Sequence, residues 1–165
     1  MVKLNKKGYL AVEVILASVV AVSIAVFLID LTVKMVNKTN DNYTNTLFLT
    51  DKALITNNLR KEIKQDMKNN NGLKSAGIKN GSCYLEYNNG SGKWINIFKD
   101  EENRDVITYS PGYSKTINKD IKYSSIYIDK CGVENNYLII KINFEDIFTT
   151  TNNRDIEIVL YNSTK

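Results

Sequence analysis

The most uneven feature of the chain is where its apolar residues sit. From Tyr9 to Ile29 the sequence runs YLAVEVILASVVAVSIAVFLI, 21 residues in which only Tyr9, Glu13, Ser18 and Ser23 carry polar atoms. At the helical rise this is roughly 31 Å, close to the hydrocarbon thickness of a bilayer. Apolar side chains fall all round the helix, so the segment reads as a span and not as the one-sided stripe of an amphipathic helix. Beyond Lys34 the pattern changes to such a stripe, with Phe48, Ile55, Leu59, Ile63 and Met67 on one face and Lys52, Asn58, Arg60 and Lys64 on the others. Asn40-Asp41-Asn42 and Thr44-Asn45-Thr46 have weak helix propensity and are expected to fray or bend this part. Asn69-Asn70-Asn71-Gly72 is expected to stop it, with Gly72 in a left-handed cap.

After Gly72 the period shortens to two. Cys83-Leu85-Tyr87, Trp94 to Phe98, Val106 to Tyr109, Tyr123 to Ile128, Tyr137 to Phe144 and Ile156 to Tyr161 read as strands. Leu138, Ile140, Ile142 and Phe144 share one face while Lys141 and Asn143 take the other, as in a sheet covered on one side. Asn88-Asn89-Gly90-Ser91-Gly92 and Ser110-Pro111-Gly112 supply turns. The predicted fold is α+β, a long N-terminal helix packed on a C-terminal antiparallel β-sheet head. Its regions are a leader at 1–8, a spanning helix at 9–29, an amphipathic stalk at 30–71 and a β-rich head at 72–165.

Charge sharpens the topology. The net charge is +4, but Lys3, Lys6 and Lys7 lie in the leader, and without them 19 basic side chains face 18 acidic ones. Basic residues before the span place its N-terminal side in the cytoplasm and the head outside. The apolar run is longer than a secretory h-region, and Asp30-Leu31-Thr32-Val33-Lys34 offers no small-x-small cleavage site, which argues against an ordinary signal peptide. An uncleaved single-pass anchor carrying an extracellular binding or sensing module survives both objections. The chain contains no histidine, which excludes Ser-His-Asp triads and histidine-based metal sites. Non-enzymatic function without a cofactor is the expectation.

Glu13 is costly where it stands: a carboxylate inside a spanning helix costs about 2.5–3.5 kcal/mol on insertion scales. Cleavage between Gly8 and Tyr9 would create an α-amino group one helical turn away, about 6 Å along the axis. Glu13 could meet that amine in its own chain or in a neighbour's staggered helix, fixing the register of assembly. Lys6-Lys7-Gly8-Tyr9-Leu10-Ala11-Val12-Glu13 before an apolar helix resembles the class III signal of type IV pilins and pseudopilins. The resemblance implies cleavage after Gly8 by a prepilin peptidase, Tyr9 as the mature and methylated terminus, and Glu13 as the assembly residue. It also implies other pilin or pseudopilin subunits as partners, and passage from single-pass membrane protein to surface filament. Tyr9 stands where Phe is usual, and the helix lacks the proline many major pilins carry, which points to a minor subunit. The implied function is structural, within a pilus, secretion or competence filament.

The other candidates carry less. Cys83 and Cys131 permit one disulfide in an oxidising compartment, or two buried thiols. Asp100-Glu101-Glu102-Asn103-Arg104-Asp105 supplies oxygen ligands without the spacing of a calcium loop, so a solvated turn is favoured. Glu86, Asp129 and Glu145 are the carboxylates a surface enzyme would use. Asn-x-Ser/Thr triplets at Asn37, Asn42, Asn80, Asn89 and Asn162 are no more than chance gives so Asn-rich a chain.

Overall fold

The computed structural model describes residues 6–110, 112–117, 123–146 and 154–162, with side chains from Leu10 onward and Asp146 by its backbone alone. Lys3 and Pro111 lie outside the described residues. One helix, α1, covers Lys6–Asn69. The chain divides into two compact units, one ending at Asn45 and the other beginning at Thr46.

In the first unit α1 carries Leu, Val, Ile and Ala on every face, and its hydroxyls turn inward to the backbone. Ser18 donates to the Ile15 carbonyl, Ser23 to Val19 and Thr32 to Leu28, each at 2.8 Å. Asp30 and Lys34 form an i,i+4 ion pair at 2.7 Å. The expectation that the Asn- and Thr-rich stretch frays is not met, because α1 is helical through residues 39–46. Thr39 bonds to the Met35 carbonyl and Thr44 to that of Asn40, so these side chains satisfy the helix instead of competing with it.

In the second unit the predicted stripe is the core face of α1: Phe48, Ile55, Leu59, Ile63 and Met67 are all buried. Asp51 lies on the same face and is buried too, its carboxylate 3.1 Å from Lys115. The helix stops where predicted, with one refinement. Asn71 takes the left-handed conformation at φ 59°, and the N–H of Gly72, at φ 88°, bonds back to the Met67 carbonyl at 2.7 Å. That i→i−5 bond is a Schellman cap, with Asn71 at C′.

The strands pair antiparallel throughout, in two sheets. The first has β1 (Leu73–Lys79), β2 (Ser82–Tyr87), β3 (Gly92–Lys99), β4 (Asp105–Ser110) and β5 (Tyr113–Thr116) in sequential order. The second has β6 (Tyr123–Glu134), β7 (Tyr137–Asp146) and β8 (Arg154–Tyr161), again in order. Six strands lie where the alternation places them; β1 and β5 do not emerge from it, since β1 buries only Leu73 fully and β5 is four residues long. Left-handed pairs Asn80-Gly81 and Asn135-Asn136 close the β1–β2 and β6–β7 hairpins. In the β2–β3 turn Asn89 Oδ1 accepts from the Ser91 N–H at 2.9 Å, and Gly90 has φ 84°.

Both sheets turn their apolar face to one core. Leu85, Tyr87, Ile95, Ile107 and Tyr109 from the first meet Leu138, Ile140, Ile142, Phe144, Ile156, Ile158 and Leu160 from the second around the α1 stripe. Cys83 and Cys131 are disulfide-bonded, with their Cα atoms 5.7 Å apart, which ties β2 to β6 and so one sheet to the other.

Candidate functional site

Two regions hold groups that packing does not explain. The first is α1 before Asn45. Every described side chain from Leu10 to Tyr43 is exposed, among them Val14, Ile15, Leu16, Val22, Phe27 and Ile29. By length and composition this is a helix able to cross a membrane. Exposed apolar surface of this extent marks a place of contact with lipid or with other protein. Glu13 is exposed within it and is the only ionisable residue between Leu10 and Ile29. Ser18 and Ser23 have backbone partners, so Glu13 stands out as the polar side chain of this stretch for which no partner occurs among the described residues. Lys6, Lys7, Gly8 and Tyr9 are helical, which sets Tyr9 one turn before Glu13; their side chains lie outside the described ones.

The second region is the head, where most carboxylates are already engaged. Asp100 Oδ1 accepts from the N–H groups of Glu102 and Arg104, and Asp100 Oδ2 lies 2.8 Å from Arg104 Nε. Those bonds, led by the one from the Arg104 backbone, hold the Asp100 carboxyl below its usual range. The acidic run is therefore a self-clasped turn. Glu86 binds Lys74 and Ser75, Asp129 lies 3.6 Å from Lys141, and Glu145 accepts from Ser125. The bond from Lys74 is the main cause that lowers the Glu86 carboxyl. Each of the three is thus occupied within its own sheet. Among the described residues no three His, Cys, Asp or Glu side chains gather as a metal site.

Three constellations were not legible in the sequence. Tyr87 and Tyr109, both fully buried, share a hydrogen bond of 2.6 Å; Tyr109 donates in turn to Asp66 Oδ2, which Lys93 Nζ approaches to 2.7 Å. Burial pushes the Tyr87 phenol up to about 12. Tyr109 is raised as well, first by burial and then by its bond to Asp66, which favours the neutral phenol. The second is Asn162, whose side-chain amide accepts from the Leu73 N–H and donates to the Leu73 carbonyl, both at 2.8 Å. It stitches the end of β8 to the start of β1 as a ladder pair would, and it is buried. The third is a groove of about 510 Å³ between α1 and β8, lined by Arg60, Lys64, Met67 and Lys68 on one side and by Val159 and Tyr161 on the other. The spacing 60, 64, 68 is visible in the sequence, but only β8 makes it a groove.

No family model, no curated protein and no solved structure matches the chain.

Proposed function

We propose that the chain is a prepilin-type subunit, minor in its filament, that is cut after Gly8 and assembled through α1 into a type IV pilus or a related secretion or competence filament. The observation that carries the reading is the exposed apolar helix with one carboxylate, Glu13, set one turn beyond Tyr9. Such a surface is satisfied by lipid before assembly and by neighbouring helices after it. A cation stabilises the carboxylate in both settings, and the α-amino group released at Tyr9 provides one a single turn away. A prepilin peptidase and other filament subunits are the implied partners. The Cys83–Cys131 disulfide fits a head exported to an oxidising compartment.

N-terminal sequencing of the protein from its own membrane tests the processing step: the mature chain should begin at Tyr9. Retention of residues 1–8 in cells with active peptidase would overturn the proposal in favour of an uncleaved anchor bearing a binding module. Glu13→Ala tests the second step. The variant should still be processed yet be absent from sheared filaments, and normal incorporation would refute the charge-pair mechanism.

A further inference from the structure

The groove beside β8 gathers three cations in a row, where many of the head's other cations are ion-paired. Lys74, Lys93, Lys99, Arg104, Lys115, Lys130 and Lys141 each have a carboxylate within ion-pair distance. Among the described residues none pairs with Arg60, Lys64 or Lys68, which follow one another at i, i+4 and i+8 along α1 and line the groove together. Arg60 is half-buried, and its Nε is shut off from solvent with no hydrogen-bond partner among the described residues. A buried donor left so costs about 1–3 kcal/mol, a cost that an arriving acceptor would remove.

The opposite wall is a strand edge. Among the described residues β8 pairs only with β7 and is the last strand of its sheet. Lys52 Nζ donates to the Asp155 carbonyl at 2.8 Å, while the Asn162 N–H reaches the Asn136 carbonyl at the start of β7. Backbone groups of even-numbered residues in this stretch therefore point towards β7, and those of Glu157, Val159 and Tyr161 point to the free edge. The inward side chains Ile156, Ile158 and Leu160 are buried in the core that α1 shares. A strand added beside Val159 and Tyr161 would accordingly turn alternate side chains down onto the flank of α1.

The spacings agree. Residues i and i+2 of a strand are about 6.8 Å apart, and residues i and i+4 of a helix about 6 Å. We propose that this groove binds an extended acidic segment of another protein, which adds to β8 as an edge strand and sets carboxylates at alternate positions against Arg60, Lys64 and Lys68. The segment comes from another protein because this chain has no three Asp or Glu residues at consecutive alternate positions. Main-chain bonds to the edge supply affinity, and the row of cations supplies specificity and register.

The test uses the full disulfide-bonded chain in zwitterionic detergent and a fluorescein-labelled peptide, Thr-Asp-Val-Asp-Val-Asp-Thr, followed by fluorescence anisotropy. Saturable binding is expected, weakened roughly tenfold or more by Lys64→Glu and by Lys68→Glu, and weakened by salt. The same peptide N-methylated at its valines in one version and its aspartates in another should bind as the parent in one form and at least about tenfold more weakly in the other, since only one set of N–H groups meets β8. Both cations are exposed, and a thermal melt matching the parent's shows that each variant is folded. Absence of saturable binding overturns the proposal. So does equal binding of both N-methylated forms, or of a peptide with its three aspartates consecutive, because the site would then recognise charge alone.

Discussion

A single amide holds two strands that the sequence separates by almost the whole head. Asn162 occupies both polar groups of Leu73 from a buried position. Asn162→Ala would leave the Leu73 N–H and carbonyl without partners in the interior, so a loss of about 2–4 kcal/mol is expected in urea unfolding. Asn162→Asp should also destabilise, since a carboxylate cannot donate to the Leu73 carbonyl. In the sequence this residue reads only as part of an Asn-x-Ser/Thr triplet. Its role depends on two strand ends meeting, which no local pattern encodes. The phenols of Tyr87 and Tyr109 were equally hidden: alternation marks both as core positions but says nothing of their hydroxyls meeting Asp66. The Tyr87 phenol ionises near 10 in the unfolded chain and is raised to about 12 in the folded one. Its contribution to stability is therefore complete below pH about 10 and is lost as pH rises through about 12. Tyr87→Phe should accordingly lose less stability than the parent between pH about 9 and pH about 11.5, measured by denaturant titration at each pH. An equal loss in both proteins would show that Tyr87 is not the linked group.

At the scale of elements, periodicity is informative in proportion to burial. The stripe of α1 was legible because Phe48, Ile55, Leu59, Ile63 and Met67 repeat at helical spacing and all face the core. Asp51 breaks the apolar rule on that face without breaking the helix, since Lys115 of β5 lies beside its carboxylate. β1 and β5 are not legible in the sequence, for the complementary reason. Leu73 is the one side chain β1 fully buries, and Gly77 and Ala76 weaken its strand signal. The hairpin partner, β2, carries the pattern for both. Asn-rich stretches were ambiguous in the same way: Asn135-Asn136 makes a tight hairpin and Asn71 a helix cap, while Asn40 and Asn42 remain helical. The stripe supports a sharp contrast in stability. Ile63→Ala should cost about 2–5 kcal/mol, because it opens a cavity in a fully buried site. Lys61→Ala, two residues away and exposed, should stay within about 0.5 kcal/mol of the parent. Similar losses in the two variants, read from urea midpoints, would mean that α1 is not held by this face.

For the whole molecule, the division of the head into two sheets was the part least accessible from the sequence. Strand runs predict pairing partners only through their turns, and no turn pattern says that β5 and β6 belong to different sheets. What joins the sheets is a shared core, the Asn162 amide and the Cys83–Cys131 disulfide, whose cysteines lie 48 positions apart. Every residue of that core lies at or beyond Phe48, within the compact unit that begins at Thr46. The core's independence from the apolar segment can be tested directly. A chain beginning at Thr46 should fold in water without detergent, with the same thermal midpoint as the parent in micelles and the same tyrosine environment by near-ultraviolet circular dichroism. Replacing both cysteines by serine in that shortened chain should lower its stability by roughly 4 kcal/mol, the chain-entropy value for a loop of this length. Because small domains have only about 5–15 kcal/mol in hand, a loss of that size brings the head near its unfolding threshold in the absence of the bridge. If the shortened chain unfolds or aggregates while its disulfide is intact, residues before Thr46 contribute to the stability of the head, and the core is not the self-sufficient unit its burial describes.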